Sequence, residues 1–333
     1  MNNNEFRAIL VSETENKEFK REVVTRHIND LPDGDVLINV KYSSLNYKDA
    51  LSATGNKGVT RDYPHTPGID AAGIVVENNN SSFAIGSTVL VTGYALGMST
   101  SGGYAEYIRV PSKWVVKLPE KLSLRESMIY GTAGFTAALS IYKLINSGVK
   151  PSDGDILVTG STGGVGSIAI SILSKLGYDV TASTGKLSEK EMLLGIGAKQ
   201  IVDRNDLDDN SGRAVLKSRW AGVIDTVGGN ILATAIKSTN YGGTVTCCGN
   251  VASDQFSSSV YPFILKGVSL LGIDSVKCPM DIRLIIWDKL SSDWKPNNLG
   301  TNVDEVSLDG LSEKIDMILE GKHKGRTIIN IEL

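Results

Sequence analysis

Four glycines, Gly160, Gly163, Gly164 and Gly166, stand in the stretch Asp155-Ile-Leu-Val-Thr-Gly-Ser-Thr-Gly-Gly-Val-Gly. Glycines so spaced let backbone N–H groups close on a pyrophosphate, and a helix starting there adds a favourable dipole. The spacing is a variant of G-x-G-x-x-G, which a tight turn alone would also explain. Its surroundings argue for the phosphate. The apolar run 156–159 reads as a buried strand. Val165, Ile168, Ala169, Ile172, Leu173 and Leu176 then recur on one helical face. Strand, loop, helix and next strand follow in the order a dinucleotide site requires.

The end of the next strand bears on which dinucleotide. A carboxylate there takes the ribose 2′-hydroxyl of NAD. Here the sequence is Ala182-Ser183-Thr184-Gly185-Lys186, two hydroxyls and a cation without a carboxylate. Donors and positive charge suit a 2′-phosphate, which favours NADPH over NADH. Arg204 stands just after the third strand. It reaches the same phosphate or is an ordinary solvated loop arginine. Ser188 and Glu191 fit a helix capping box, a structural role.

Metal ligation is not written into the chain. Cys247 and Cys248 are adjacent, which sends their side chains to opposite faces of a strand, and Cys278 stands apart. His27, His65 and His323 are scattered, with no His-x-x-His or Cys-x-x-Cys. Without ligands for a metal that would polarise an alcohol, the expected chemistry is hydride transfer to an acceptor already poor in electrons. Three cysteines make no disulfide framework. The 34 Lys+Arg and 37 Asp+Glu leave a formal charge of −3, which argues against nucleic acid held by bulk charge. No apolar run of membrane-spanning length is apparent, and MNNNEFRAIL has no signal-peptide pattern. A cytoplasmic protein with no membrane partner is expected.

The elements that must position these residues fall into two textures. A length of 333 residues suggests about two domains. Up to about residue 122 the chain shows short β segments, near 35–40, 73–76 and 88–91, broken by turns, as in a barrel-like domain. Residues 123–147 look helical, with Ser123 and Glu126 at capping-box spacing. Apolar runs at 156–159, 178–183, 200–202, 220–225 and 243–248 alternate with helical stretches. That alternation implies a five-stranded parallel sheet. The loops after the last two runs hold glycines at strand carboxyl ends, which turn structure or a ligand would equally explain. Past about 275 a helical 311–320 and a β-like 327–331 are expected to return to the first domain.

Several motifs run nearly end to end in one order. They are Asn46-Tyr47-Lys48-Asp49, Pro67-Gly68-Ile69-Asp70-Ala71-Ala72-Gly73, Gly102-Gly103-Tyr104-Ala105-Glu106-Tyr107 and Gly131-Thr132-Ala133-Gly134-Phe135-Thr136-Ala137. After the Gly-rich loop come Ser183-Thr184-Gly185-Lys186, Pro262-Phe263-Ile264-Leu265, Gly272-Ile273-Asp274-Ser275-Val276 and Gly325-Arg326-Thr327. On these the chain resembles the zinc-free medium-chain dehydrogenase/reductases, in the group of quinone oxidoreductases and NADPH-dependent acrylyl-CoA reductases. Lys186 departs from the arginine common there, and Asn250 from an apolar residue. Segments 203–219 and 292–306 match nothing in the pattern.

The resemblance implies an α/β protein: a GroES-like β-rich catalytic domain at 1–122 and 275–333, and a Rossmann doubly wound parallel sheet at 123–274. It implies a homodimer, with a strand around 268–271 extending the sheet between subunits. It carries NADPH contacts onto Tyr47, Thr162, Gly163, Gly164, Val165, Ser183, Thr184, Lys186, Arg204, Asn250, Ile264 and Ser275.

The activity so implied is reduction of the 2,3-double bond of a short enoyl-CoA, acrylyl-CoA first. Tyr47 is the candidate catalytic residue. A tyrosine keeps its proton at neutral pH and can donate it, or align water to do so. Packing against the nicotinamide is its other reading. Asn46 and Asp49 beside it read as turn hydrogen bonding. Lys57 and Arg61, on the loop 55–63, meet CoA phosphates or are ordinary solvated charges. Quinone reduction on the same scaffold is the alternative, and a non-catalytic nucleotide-binding protein the weaker one.

Overall fold

The computed structural model describes residues 4–79 and 83–333. The chain forms two compact units. The first holds Met1–Thr132, Val276–Ser291 and Asn302–Leu333, the second Ala133–Ser275 and Ser292–Thr301.

The first unit opens with β1 (Glu5–Glu13) and β2 (Phe19–His27), an antiparallel hairpin. Then come β3 (Val36–Ser44), α1 (Tyr47–Ser52), β4 (Asp70–Asn78), β5 (Thr88–Thr92), β6 (Tyr107–Val110) and β7 (Val116–Lys117). Strand residues two apart share a face. Accordingly Ile9 and Val11 of β1, Val36, Ile38 and Val40 of β3, Val89 and Val91 of β5, and Ile108 and Val110 of β6 all enter one buried core. The helical stretch α2 (Leu124–Asn146) follows, capped as expected. Ser123 N–H donates to Glu126 Oε2 at 3.0 Å and Glu126 N–H to Ser123 Oγ at 3.1 Å. The stretch breaks at Gly131, whose φ of 49° and ψ of −155° are non-helical.

The second unit alternates β8 (Ile156–Val158), α3 (Gly164–Lys175), β9 (Val180–Thr184), α4 (Lys190–Gly195), β10 (Gln200–Asp203), β11 (Trp220–Asp225), α5 (Gly229–Ser238), β12 (Thr239–Cys247), α6 (Tyr261–Lys266) and β13 (Ser269–Gly272). All pairings are parallel, in the order β10-β9-β8-β11-β12-β13. Every residue of β8, β9 and β11 is buried. That explains why β8 and β11 up to Ile224 read as continuous apolar runs rather than alternating ones, while β9 buries hydroxyl side chains as well. The alternation suggests five strands; the sheet has six. The sixth is the short edge strand β13, in the place the resemblance gives it.

The tail returns to the first unit through α7 (Met280–Ser291), β14 (Val303–Val306), α8 (Leu311–Leu319) and β15 (Arg326–Asn330). β15 pairs antiparallel with β3 and parallel with β14, which completes a seven-stranded mixed sheet. Leu311 and Ile315, one turn apart on α8, join the core of this unit.

One local reading changes. Residues 187–189 form a 3-10 turn, so α4 starts after Glu189 and Ser188 does not cap it. Segment 203–219 is pinned along α5. Asp209 N–H donates to Thr234 Oγ1 at 3.0 Å, and Lys237 Nζ bonds Asp209 Oδ2 at 2.7 Å. The hydrogen bond from Lys237, with further ones from Ser211, holds the Asp209 carboxyl down at about 2. Finally, α2 is long and apolar enough to cross a membrane by length and composition, but 78% of its apolar window is buried and Gly131 interrupts it.

Candidate active site

The Gly-rich turn takes the backbone path only glycine allows. Gly160 has φ +60°, and a Cβ there would overlap the Thr226 hydroxyl. A Cβ on Gly166 would stand 2.5 Å from the Gly160 carbonyl oxygen. The turn is thereby drawn tight against the sheet. α3 begins at Gly164, and its N-cap Gly163 offers no side-chain acceptor. The first-turn N–H groups, which a helix leaves without intrahelical partners, remain available to an anion. Thr162 is buried, while Gly163, Gly164 and Val165 are partly exposed at this terminus.

The end of β9 gathers a second set. Ser183 and Thr184 are buried. Thr184 Oγ1 accepts the Lys186 N–H at 2.9 Å, which turns the chain back over Gly185. Arg204, exposed after β10, lies over that glycine: a Cβ on Gly185 would stand 2.7 Å from Arg204 Nε. That position, over the residue before Lys186, is compatible with either reading of Arg204. The positive charge here is that of the half-buried Lys186 and the exposed Arg204, while the two hydroxyls are buried.

The remaining candidates of this unit are less concentrated. Asn250 is exposed after β12, and Ser275 is half-buried beyond β13. Both follow carboxyl ends of strands, where open α/β sheets bind ligands. Ile264 sits on α6, before the edge strand rather than after it, and is 67% exposed. Burial pushes the Cys248 thiol up to about 12, with the buried Asp225 carboxylate adding to it. Burial raises the Cys247 thiol as well. Neither cysteine is a nucleophile at neutral pH.

In the first unit, Tyr47 is the first residue of α1 and is 41% exposed. Beneath it Asn46 and Asp49 form a reciprocal cap. Asn46 N–H donates to Asp49 Oδ2 at 2.9 Å, and Asp49 N–H to the Asn46 carbonyl at 3.0 Å. Ile69 N–H donates to Asp49 Oδ1 at 2.8 Å. Burial still raises the Asp49 carboxyl to about 7, with the neighbouring Asp70 charge contributing, because these hydrogen bonds offset the desolvation only in part.

Asp70 is the hub. Its Oδ2 accepts Ser44 Oγ–H at 2.6 Å, Asn46 Nδ2–H at 2.8 Å and Thr132 N–H at 2.8 Å, and its Oδ1 accepts Thr132 Oγ1–H at 2.6 Å. Buried Arg326 donates from Nε to the Ile129 carbonyl at 2.8 Å and from Nη1 to the Leu45 carbonyl at 3.1 Å. Its Nη2 is buried and has no hydrogen-bond partner. Gly131 leaves the space in which these groups meet: a Cβ there would overlap Ser44 Oγ and stand 2.6 Å from Asp70 Oδ2. The buried Tyr104 hydroxyl donates to the Ser44 carbonyl at 3.3 Å. Its ionisation is pushed well up, first by burial and then by the charge of Asp49.

The first unit contains a match to "Alcohol dehydrogenase GroES-like domain" over residues 32–120, and a match to "Zinc-binding dehydrogenase" covers 164–292. The chain is 48% identical to "Putative quinone oxidoreductase YhfP" of Bacillus subtilis, over 93% of this chain and 94% of that protein. It is 38% identical to the acrylyl-CoA reductase AcuI of Ruegeria pomeroyi, over 98% and 99%. The chain belongs to the medium-chain dehydrogenase/reductase family. The Salmonella enterica oxidoreductase YhdH, solved in complex with NADP, superposes with a TM-score of 0.95 at 40% identity over 98% of this chain and 99% of that one. The Bacillus subtilis YhfP structure has NAD bound and a TM-score of 0.96.

The fold of this dehydrogenase/reductase is thus GroES-like plus Rossmann, and the protein is an oxidoreductase. The second description names zinc, but the residues do not fit that metal. Among the described residues no group of three or more His, Cys, Asp or Glu is placed to hold one. Sequence spacing did not show that Ser44, Asp70, Thr132 and Arg326 form one cluster with Asn46. They lie on different strands and at a helix break; Asp70, Thr132 and Arg326 stand in separate motifs, and Ser44 stands in none. Lys57 is engaged elsewhere. Its Nζ bonds Glu13 Oε2 at 2.9 Å and lies 4.7 Å from the centre of the Tyr63 ring.

Proposed function

We propose that the protein reduces the 2,3-double bond of a short enoyl-CoA with NADPH, acrylyl-CoA to propionyl-CoA first. The observation that carries the cofactor is Arg204 lying over Gly185 beside Lys186, with no carboxylate among Ser183, Thr184 and Lys186. The similarity to an acrylyl-CoA reductase along 98% of the chain supports the acceptor. Residues 1–122 and 275–333 form the catalytic domain in this reading, and 123–274 bind NADPH.

The residues fit the cofactor. The first turn of α3, with Thr162, Gly163, Gly164 and Val165, takes the pyrophosphate. Lys186 and Arg204 take the 2′-phosphate, and Ser183 and Thr184 shape its floor. Asn250, Ile264 and Ser275 follow as contacts beyond β11 in strand order. When bound, NADPH supplies a hydride to the β-carbon of the acceptor. The electron pair of the double bond then moves toward the thioester carbonyl, and the α-carbon takes a proton. Tyr47, exposed at the start of α1, donates that proton from its hydroxyl or through an aligned water. The cap formed by Asn46 and Asp49 fixes the backbone that presents Tyr47, and Asp70 fixes Asn46.

The second reading is quinone reduction on the same scaffold, favoured by the name of the 48% identical Bacillus subtilis relative. NADPH oxidation, followed by its near-ultraviolet absorbance with acrylyl-CoA, crotonyl-CoA and a benzoquinone and with NADH in parallel, separates the two. Strong NADPH-selective turnover of acrylyl-CoA, at a much lower Michaelis constant than for the quinone, supports the thioester. Quinone turnover without the thioesters moves the assignment to quinone reduction.

The same reading makes the protein a cytoplasmic homodimer. β13 ends the order of its sheet, and the exposed Val260, Tyr261 and Leu265 lie just before it. An unpaired edge beside exposed apolar side chains suits a second copy of the strand. Sedimentation at micromolar concentration as a monomer would remove this part.

A further inference from the structure

Arg283, on α7, is fully buried, and it holds one carbonyl of the segment between β13 and α7. Its Nη2 donates to the Val276 carbonyl at 3.2 Å, and its Nη1 donates to the Thr92 carbonyl and hydroxyl, each at 2.9 Å. The Tyr94 N–H donates to the same Val276 carbonyl at 3.1 Å. Tyr94 does this from φ +53°, a backbone region rarely taken by a bulky residue. Its ring is held too. The guanidinium carbon of Arg283 lies 4.6 Å from its centre, and Trp114 stacks on it at 5.4 Å with 2° between planes. A strained residue persists when its surroundings over-determine it, and such residues gather at ligand sites. What this arrangement fixes is the peptide that follows Ser275.

We propose that Arg283, with Tyr94, is a positioning residue for the nicotinamide half of the cofactor, acting through the Val276 carbonyl on Ser275. The proposal rests on the reading of the second unit as an NADPH site. Strand order gives the half concerned. A dinucleotide lies across the carboxyl ends of such a sheet, one nucleotide to each side of the point where the order reverses, here between β8 and β11. Lys186 and Arg204 follow β9 and β10, on the side of the 2′-phosphate. Ser275 follows β13 at the opposite edge, on the nicotinamide side. Losing the Arg283 clamp should loosen one half of the ligand and spare the other.

The test compares NADPH with 2′,5′-ADP, which carries only the phosphorylated adenosine half. Dissociation constants are measured by fluorescence titration and by competition, on variants whose melting is also recorded. Arg283→Met should weaken NADPH by about tenfold, the loss of one charge-assisted hydrogen bond, and leave 2′,5′-ADP unchanged. Arg283→Lys should recover part of the loss. Tyr94→Gly keeps the N–H donor and relieves the positive φ but removes the ring over which the guanidinium lies. It should give a smaller loss with the same selectivity, and it decides the matter if Arg283→Met does not fold. Equal weakening of both ligands, or none of either, overturns the positioning role. A wild-type protein that binds neither ligand overturns the NADPH reading itself, and the proposal with it.

Discussion

Thr132 grips Asp70 through both carboxylate oxygens, its N–H on Oδ2 at 2.8 Å and its hydroxyl on Oδ1 at 2.6 Å. The residue stands one position after the helix break at Gly131, so the break is what turns its N–H and hydroxyl together onto a buried charge. Thr132→Val keeps the shape and the N–H but leaves one oxygen of Asp70 without that donor. A hydrogen bond to a charged group contributes roughly 1.5–3 kcal/mol. A loss of that size is expected in urea unfolding at neutral pH. An unchanged midpoint and slope would show that Asp70 finds another donor without cost.

Asp49 gives the fold a pH dependence of its own. Its carboxyl titrates near 7 when folded and near the ordinary 3.8 when unfolded. Between those values the folded state holds the extra proton. Its contribution is complete below about 3.8 and is lost as pH rises through about 7. Asp49→Asn is neutral throughout and keeps acceptor capacity for the Ile69 N–H. The variant should gain stability relative to wild type as pH rises from 5 to 8, read as the difference in urea midpoints. A constant difference over that range would mean that Asp49 is ionised at both ends.

The architecture was legible because its signals are local. Continuous burial makes β8 and most of β11 read as apolar runs, and the Ser123 and Glu126 cap closes within one turn. The edge strand β13 was not legible from alternation. Its four residues, Ser269–Gly272, are only partly buried or exposed, so no period marks them. Ser188 was misread because a capping spacing says nothing of whether a 3-10 turn comes first. Individual site motifs were legible, but their convergence was not. Asp70 meets Ser44 across the β3–β4 pairing, Thr132 at a helix break, and Asn46 at a cap. Tertiary pairing alone makes those contacts.

Cofactor choice is expected to sit on Arg204. Arg204→Ala should raise the Michaelis constant for NADPH by roughly tenfold, the low end for a charged hydrogen bond because the side chain is exposed. The constant for NADH, which has no 2′-phosphate, should stay where it is. Gly185→Ala supplies a second arm, since its Cβ would crowd the guanidinium and should shift NADPH in the same direction. Equal changes for both cofactors would place Arg204 in folding rather than in phosphate recognition.

Tyr47 is the residue on which the chemistry of the acceptor turns. The residue is 41% exposed at the start of α1, while Asn46, Asp49 and Asp70 are buried and committed to one another. Of this cluster, then, Tyr47 is the member free to meet an acceptor. Tyr47→Phe keeps the ring and any packing on the nicotinamide but removes the proton. If Tyr47 protonates the α-carbon, turnover of acrylyl-CoA should fall by a factor on the order of 100 or more while the dissociation constant for NADPH holds. Reduction of a benzoquinone delivers its proton to oxygen, where water competes well, and should fall far less. The ratio of the two losses is the measurement. A wild-type rate on acrylyl-CoA with a weakened NADPH constant would leave Tyr47 as a packing residue and send the search for the donor to solvent.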